Sequence, residues 1–296
     1  MLALALDLKQ PTIQDRDWIQ PILYKSGCIS SDCTFGSLFI WSNSYNTKVG
    51  KYKNSLIRAY GKGEYCFPIG NDNIEDSICA MINDAKQRGF TFKLSGISKE
   101  QMEQVKSAMP GIFNFNEDRS IADYIYNSFD LINLSGKKYH NQRNQISQFK
   151  RNYNWSYEDI TPDNIIDCID IEEEWIKQNI STHDSGINGE FIAIENAVKF
   201  YKELNLIGGI IKVNNKPIAF TLGEEINKDA FLVHFEKALA PYVGAYKVIN
   251  QEFSANRLSN YKYVNREEDL GIEGLRKAKL SYHPSILMNK YSATLR

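Results

Sequence analysis

Residues 229–264, DAFLVHFEKALAPYVGAYKVINQEFSANRLSNYKYV, decide the fold. Over 231–237 the residues alternate as a β-strand does, with Phe231, Val233 and Phe235 on one face and Leu232, His234 and Glu236 on the other. The first face is wholly apolar and calls for a core. The second carries a histidine and a carboxylate about 7 Å apart, from two residues at about 3.3 Å rise each. Gly244 then opens a helical pattern that runs to 258, and YKYV leads to Asn265 as a further strand. In such a strand–helix–strand unit, ligands gather at the carboxyl ends of the strands, where Glu236, Lys237 and Asn265 stand.

Upstream, IGGIIKVNNKPIAFTLGEEI reads as two strands joined at Asn214-Asn215, since Asn tolerates positive φ. Before it come helices over 191–204 and from Thr161-Pro-Asp163 onward, a strand over 155–160, a basic helix over 137–153 and a strand candidate over 124–134. The first 120 residues read as a helix over 15–25, two β-rich runs around Gly61-Lys-Gly63, a helix over 73–88, and a strand over 90–94. A helix capped by Ser98 and a strand from Phe113 complete them. The expected class is α+β: two packed GNAT-like (acyl-CoA N-acyltransferase-like) domains with mixed central sheets, spanning 1–120 and 121–296, the second carrying the active site. The two halves share element order without a fixed-period repeat.

Composition sets the bounds. The chain has 296 residues, 43% hydrophobic and 24% charged, enough for a sizeable core. Thirty-five Lys and Arg stand against 36 Asp and Glu, which excludes a surface that grips nucleic acid everywhere and leaves room for a local basic patch. No apolar run reaches the roughly 18 residues of a membrane-spanning helix. The five cysteines include no Cys-x-x-Cys, with Cys28 and Cys33 the closest pair, and the four histidines are dispersed. No metal site is expected, and a reducing cytoplasmic setting is the simplest reading.

Three segments carry candidate chemistry. At the end of the 231–237 strand stand His234, Glu236 and Lys237, candidates for the catalytic groups. The glycine-led helix start, Gly244, Ala245 and Tyr246, offers unpaired amides that suit phosphate or carboxylate, although an ordinary cap explains it as well. Residues 265–284 hold Asn265, Arg266, Glu267, Asp269, Arg276, Lys279 and Tyr282. Four basic and four acidic side chains lie within 265–279, at the end of a strand next to that of His234, so these are the substrate-binding candidates. A solvated, self-neutralising surface is the plain alternative. Finally, Lys137, Lys138, Arg143, Lys150 and Arg151 form an acid-free basic run, which suits phosphates of RNA or coenzyme A, an anionic membrane surface, or simply solvent.

The strings YHNQRNQISQFKRNY, IGGIIKVNNKPIAFTLGE, VHFEKA, YVGAYKVINQEF and YVNREEDLGIEGLRKAKLSYHP resemble the phosphatidylglycerol lysyltransferase C-terminal-like family over about 120–290. The resemblance implies paired GNAT-like domains related to Fem-type aminoacyl-tRNA-dependent transferases, and transfer of an amino acid from aminoacyl-tRNA to a lipid head group in the best-known relatives. Those relatives carry a large transmembrane portion that this sequence does not show. The pyrophosphate loop of acyl-CoA enzymes, Gln/Arg-x-x-Gly-x-Gly/Ala, is matched in PYVGAY only at Gly244.

The expected function is therefore transfer of an acyl or aminoacyl group from an activated ester to an amine or hydroxyl. Glu236 would act as base or amine anchor, with His234 in support. An amide near Lys237, with its ammonium, would polarise the carbonyl, Arg266 and Lys279 would bind phosphate or the oxyanion, and Glu267 and Asp269 would hold an α-ammonium. No bound cofactor is required, acyl-CoA or aminoacyl-tRNA serving as donor substrate. An acyl-CoA-dependent N-acyltransferase and a non-catalytic binding module on the same fold are the alternatives.

Overall fold

The computed structural model describes residues 5–179 and 185–296, and the side chains of 185–187 are left aside. In chain order the first elements are α1 (Arg16–Lys25), α2 (Phe35–Ile40), α3 (Ser42–Tyr45), β1 (Lys48–Tyr52), β2 (Ser55–Tyr60), β3 (Glu64–Tyr65), α4 (Ile74–Gln87), β4 (Lys93–Ile97), α5 (Lys99–Ala108) and β5 (Phe113–Asn127). Then come α6 (Ser128–Asn133), α7 (His140–Asn152), β6 (Trp155–Asp159), α8 (Asp167–Asn179), α9 (Ser185–Lys199), β7 (Ile207–Val213) and β8 (Lys216–Asn227). The last are β9 (Ala230–Ala238), α10 (Ala245–Arg257), β10 (Tyr263–Asn265), α11 (Glu273–Leu280) and β11 (Ile286–Leu295).

The chain forms two compact units. One holds Met1–Asp123, Glu268–Glu273 and Leu287–Arg296, the other Tyr124–Glu267 and Gly274–Ile286. In the first, β1, β2 and β3 run antiparallel in turn, β3 pairs parallel with β4, and β4 pairs antiparallel with β11. In the second, the end of β5 pairs antiparallel with β10, β10 pairs parallel with β9, and β9, β8, β7 and β6 follow antiparallel. In each unit the strands pair in mixed directions. Parallel neighbours need a crossover, supplied by α4 between β3 and β4 and by α10 between β9 and β10.

The same device recurs in both units; the units part at Asp123 and Tyr124, close to the expected 120 and 121, while Glu268–Glu273 and Leu287–Arg296 go with the first unit. The last strand, β11, joins the sheet of the first unit beside β4, and the end of β5 joins that of the second beside β10. A cut at one point cannot express such an exchange of final strands. Two local expectations also change. The strand expected over 124–134 stops at Asn127, whose side chain accepts the Phe129 N–H and starts α6. Cys28 and Cys33, read as reduced thiols, are joined as a disulfide.

Each unit has its own core. Tyr65, Phe92 and Phe113 stack in the first, around buried Ile78, Met81 and Val105. In the second, Phe231 of β9 meets Phe253 of α10 and Tyr261. Gly223 of β8 allows the close approach of β9: a Cβ there would lie 2.0 Å from the Leu232 carbonyl oxygen.

Candidate active site

The β8–β9 register pairs Leu222 with Phe235 and Gly223 with Val233, so His234 is an extra residue in β9. A bulge of this kind puts two residues opposite one and breaks the alternation. The expected faces therefore do not persist along the strand. Phe231 and Glu236, assigned to opposite faces, both meet α10, through Phe253 and Asn250. His234 faces elsewhere and is separated from Glu236 chemically as well as geometrically.

His234 lies between two carboxylates, with Nε2 2.9 Å from Glu224 and Nδ1 3.0 Å from Glu267. Burial of the ring opposes its charge, but the hydrogen bonds and charges of Glu224 and Glu267 outweigh that and push its pKa up to about 9. The ring is thus an imidazolium at neutral pH with both N–H groups donated. In that state it has no lone pair with which to take a proton.

Beyond β10 the chain turns sharply. The Asn265 side chain accepts the Glu267 N–H at 2.8 Å, and Glu267 adopts a left-handed φ of 56°. The Arg266 N–H donates to the Tyr124 carbonyl and the Glu267 carbonyl accepts from Tyr124 N–H, which ties the turn to β5. Neighbouring side chains thereby diverge, Glu267 to His234 and Arg266 to Glu236. Lys279 Nζ donates to the Arg266 carbonyl and secures the same turn.

Arg266 and Glu236 form the second group. Arg266 Nη2 lies 2.6 Å from Glu236 Oε1, and Asn250 Nδ2 of α10 donates to Glu236 Oε2 at 3.0 Å. The guanidinium lies over the rings of Tyr126 and Tyr282, with centroids at 5.5 and 5.0 Å. Burial opposes its charge and Glu236 favours it, with the net effect of holding it firmly cationic. Arg266 Nη1 and Asn250 Oδ1 are buried and have no partner among the described residues.

Lys237 belongs to a third group on β9. Its ammonium is 2.8 Å from Glu190 and 3.6 Å from Glu172, and sits 3.6 Å from the ring centroid of Trp175. Burial pushes the Glu172 carboxyl up to about 7 against the pull of Lys237. Trp175 Nε1–H donates to Tyr246 Oη at 2.9 Å, so Tyr246 supports this cage.

Residues 29–294 match the model of the family described as phosphatidylglycerol lysyltransferase, C-terminal. The chain belongs to this family. No curated protein matches the sequence. A conserved protein of unknown function from Bacteroides thetaiotaomicron VPI-5482 is 39% identical, with a TM-score of 0.93 over 98% of this chain and 100% of that one. L-PGS from Bacillus licheniformis is 15% identical, with a TM-score of 0.66 over 95% and 91%. A tandem GNAT protein from the clavulanic acid biosynthesis pathway is 7% identical, with a TM-score of 0.51 over 98% and 98%. The last two share the fold, which is that of tandem GNAT proteins.

Placed in this lysyltransferase-family fold, the remaining candidates fall apart into separate roles. Asp269 lies in the other unit, where it accepts from Arg119 at 3.2 Å and from the Gly271 N–H, so it does not join Glu267. Arg276 is half-buried on α11. Gly244 caps α10 at a φ of 94°, and a Cβ there would meet the Gln145 carbonyl oxygen at 2.9 Å, so packing against α7 already explains the glycine. The Ala245 N–H donates to Tyr242 and is not spare.

In the basic run, Arg143 donates to the Leu134 and Gly136 carbonyls and closes the loop after α6. Lys150 pairs with Glu252 at 2.6 Å and lies over Trp155, and Lys138 pairs with Asp130 at 3.6 Å. Lys137 and Arg151 are exposed. Among the described residues no helix is long and apolar enough to cross a membrane.

Sequence reading passed over Glu224, Asn250, Tyr126, Glu172, Trp175 and Glu190. Glu224 was reachable in principle, since it pairs directly with Leu232, two residues before His234. The others come from helices and a distant strand, and no local spacing announces them.

Proposed function

We propose that this chain moves an acyl or aminoacyl group from an activated ester to an amine or hydroxyl, at Arg266, Glu236 and Asn250. The observation that carries the reading is the unused buried donor, Arg266 Nη1, and the unused buried acceptor, Asn250 Oδ1, each one bond system away from Glu236. Leaving such groups unpaired costs about 1–3 kcal/mol each. A carbonyl oxygen at Arg266 and an α-ammonium at Asn250 and Glu236 would satisfy both, and those are the two polar ends of an aminoacyl ester.

Both carboxylate oxygens of Glu236 already accept hydrogen bonds, which favours an anchoring role over that of a base. In the reaction, the acceptor nitrogen or oxygen attacks the ester carbonyl carbon. The new bond forms as the ester C–O bond breaks, and the acceptor's proton ends on the departing oxygen. Arg266 stabilises the oxyanion that develops in between, the point at which a fixed cation contributes most. The donor this favours is an aminoacyl ester such as the 3′ end of aminoacyl-tRNA. The family is named for lysyl transfer to phosphatidylglycerol, and the groups described here support the reaction class common to such transfers.

The test is transfer of labelled amino acid from mixed aminoacyl-tRNAs to phosphatidylglycerol vesicles or to a small amine. Arg266→Gln should lower turnover at least about 100-fold, in line with loss of an oxyanion donor. Turnover close to wild type in that variant would remove the assignment. Binding of charged tRNA without turnover, unaffected by Arg266→Gln, would identify a silent binding module instead.

A further inference from the structure

The first unit contains a cavity of about 710 Å³ to which no role has been given above. Its lining includes Arg58 of β2, Asp32 from the loop before α2, and Met288 and Lys290 of β11. Arg58 is only 3% exposed. Its guanidinium donates to the main-chain carbonyls of Asp32 and Phe67, and no carboxylate among the described residues pairs with it. Nε has no hydrogen-bond partner among the described residues. The charge of Asp32 acts on this buried cation through space, without a direct hydrogen bond between the two side chains, and that leaves its guanidinium open to a further anion.

The counter-charge lies beside it. Lys290 Nζ is shared between Asp32 and Asp123, at 2.9 Å from each, so no cation is given over to Asp32 alone. Asp32 is also the more accessible of the two carboxylates, with 32% of its side chain exposed against none for Asp123. The cavity thus presents a cation and a carboxylate side by side with no direct hydrogen bond between them, a pair that the carboxylate and ammonium of a ligand can each extend. Because Arg58 bonds the main chain of Asp32 itself, the two charges are close together.

We propose that this cavity binds a small zwitterion whose carboxylate and ammonium sit on neighbouring atoms, as in a free α-amino acid, with the carboxylate at Arg58 and the ammonium at Asp32. The volume leaves space for a side chain, since cavities of about 300–1,000 Å³ hold molecules well above the size of glycine. This site is independent of Arg266 and its partners, so the failure of either reading leaves the other standing.

Thermal shift on the full chain tests it, with L-glutamine, L-methionine and L-phenylalanine as probes against their carboxamides and their N-acetyl derivatives. At ten times Kd a free amino acid should raise Tm by about 3 °C, and neither blocked form should do so. Asp32→Asn should abolish the rise, as should Met288→Trp, which fills the space without touching a charge. Arg266→Gln should preserve it. The proposal is overturned if blocked and free forms stabilise equally, if none of the three acids shifts Tm at about 10 mM, or if Arg266→Gln removes the rise while Asp32→Asn retains it.

Discussion

Replacing His234 with glutamine should make the second unit less stable at pH 6.5 and nearly equal to wild type in this respect above pH 9.5. The ring's pKa rises from an ordinary 6.5 to about 9 on folding. At about 1.36 kcal/mol per pH unit, that interval amounts to about 3 kcal/mol. Because the folded value is the higher one, the contribution is complete below pH 6.5 and is lost as pH climbs through 9. The loss of the cation shared by Glu224 and Glu267 is this same free energy seen from the carboxylates. Urea unfolding between pH 6 and 10 reads the effect, followed by the fluorescence of Trp155 and Trp175 in a chain with Trp18→Phe and Trp41→Phe. At a slope of about 2 kcal/mol per molar urea, wild type should lose about 1.5 M of midpoint over that range. His234→Gln should start about that much lower and show little slope above pH 7. A wild-type midpoint constant from pH 6.5 to 9.5 would refute the imidazolium.

Three further outcomes are expected. Glu236→Gln keeps the shape of the site but removes the anchor's charge, and should lower transfer at least about tenfold in initial rates and also lower Tm, because the buried Arg266 cation loses its carboxylate. Glu172, with its carboxyl raised by burial from 4.5 to about 7, destabilises the fold as pH rises across that window; Glu172→Gln should flatten the pH 4.5–7 limb of a urea series and leave the pH 7–9.5 limb unchanged. Gly244→Ala places a Cβ 2.9 Å from the Gln145 oxygen at a φ of 94°, and should cost about 1–3 kcal/mol, measured by the urea midpoint.

Much of the second unit was legible because its signals are local. The apolar alternation of β9, the glycine before α10 and the return to an aromatic strand each depend on residues close in sequence. The strand-end position of Arg266 and Glu267 followed from that order. What was hidden depends on partners far along the chain. The bulge at His234 arises from pairing with Leu222 and Gly223, and no residue in VHFEK signals it. Its effect was large, since one extra residue moved Glu236 to the α10 face and split His234 from it.

Asp269 shows the same limit from another side. Two residues beyond Glu267, and equally acidic, it belongs to the other unit and pairs with Arg119. The exchange of β5 and β11 between the sheets was hidden too, because element order alone is consistent with each half keeping its final strand. The basic run misled for a different reason. Arg143 and Lys150 share a helix face as their spacing requires, but both are held by other segments, Arg143 by carbonyls and Lys150 by Glu252.

The central claim is that Arg266, Glu236 and Asn250 receive the two polar ends of an aminoacyl group. A crystal structure with a hydrolysis-resistant 3′-aminoacylamino-adenosine measures it directly. The account predicts the carbonyl oxygen within hydrogen-bonding distance of Arg266 Nη1 and the α-ammonium within the same reach of Glu236 and Asn250 Oδ1. An aminoacyl group lodged elsewhere, with the Arg266–Glu236 pair closed and untouched, would contradict it.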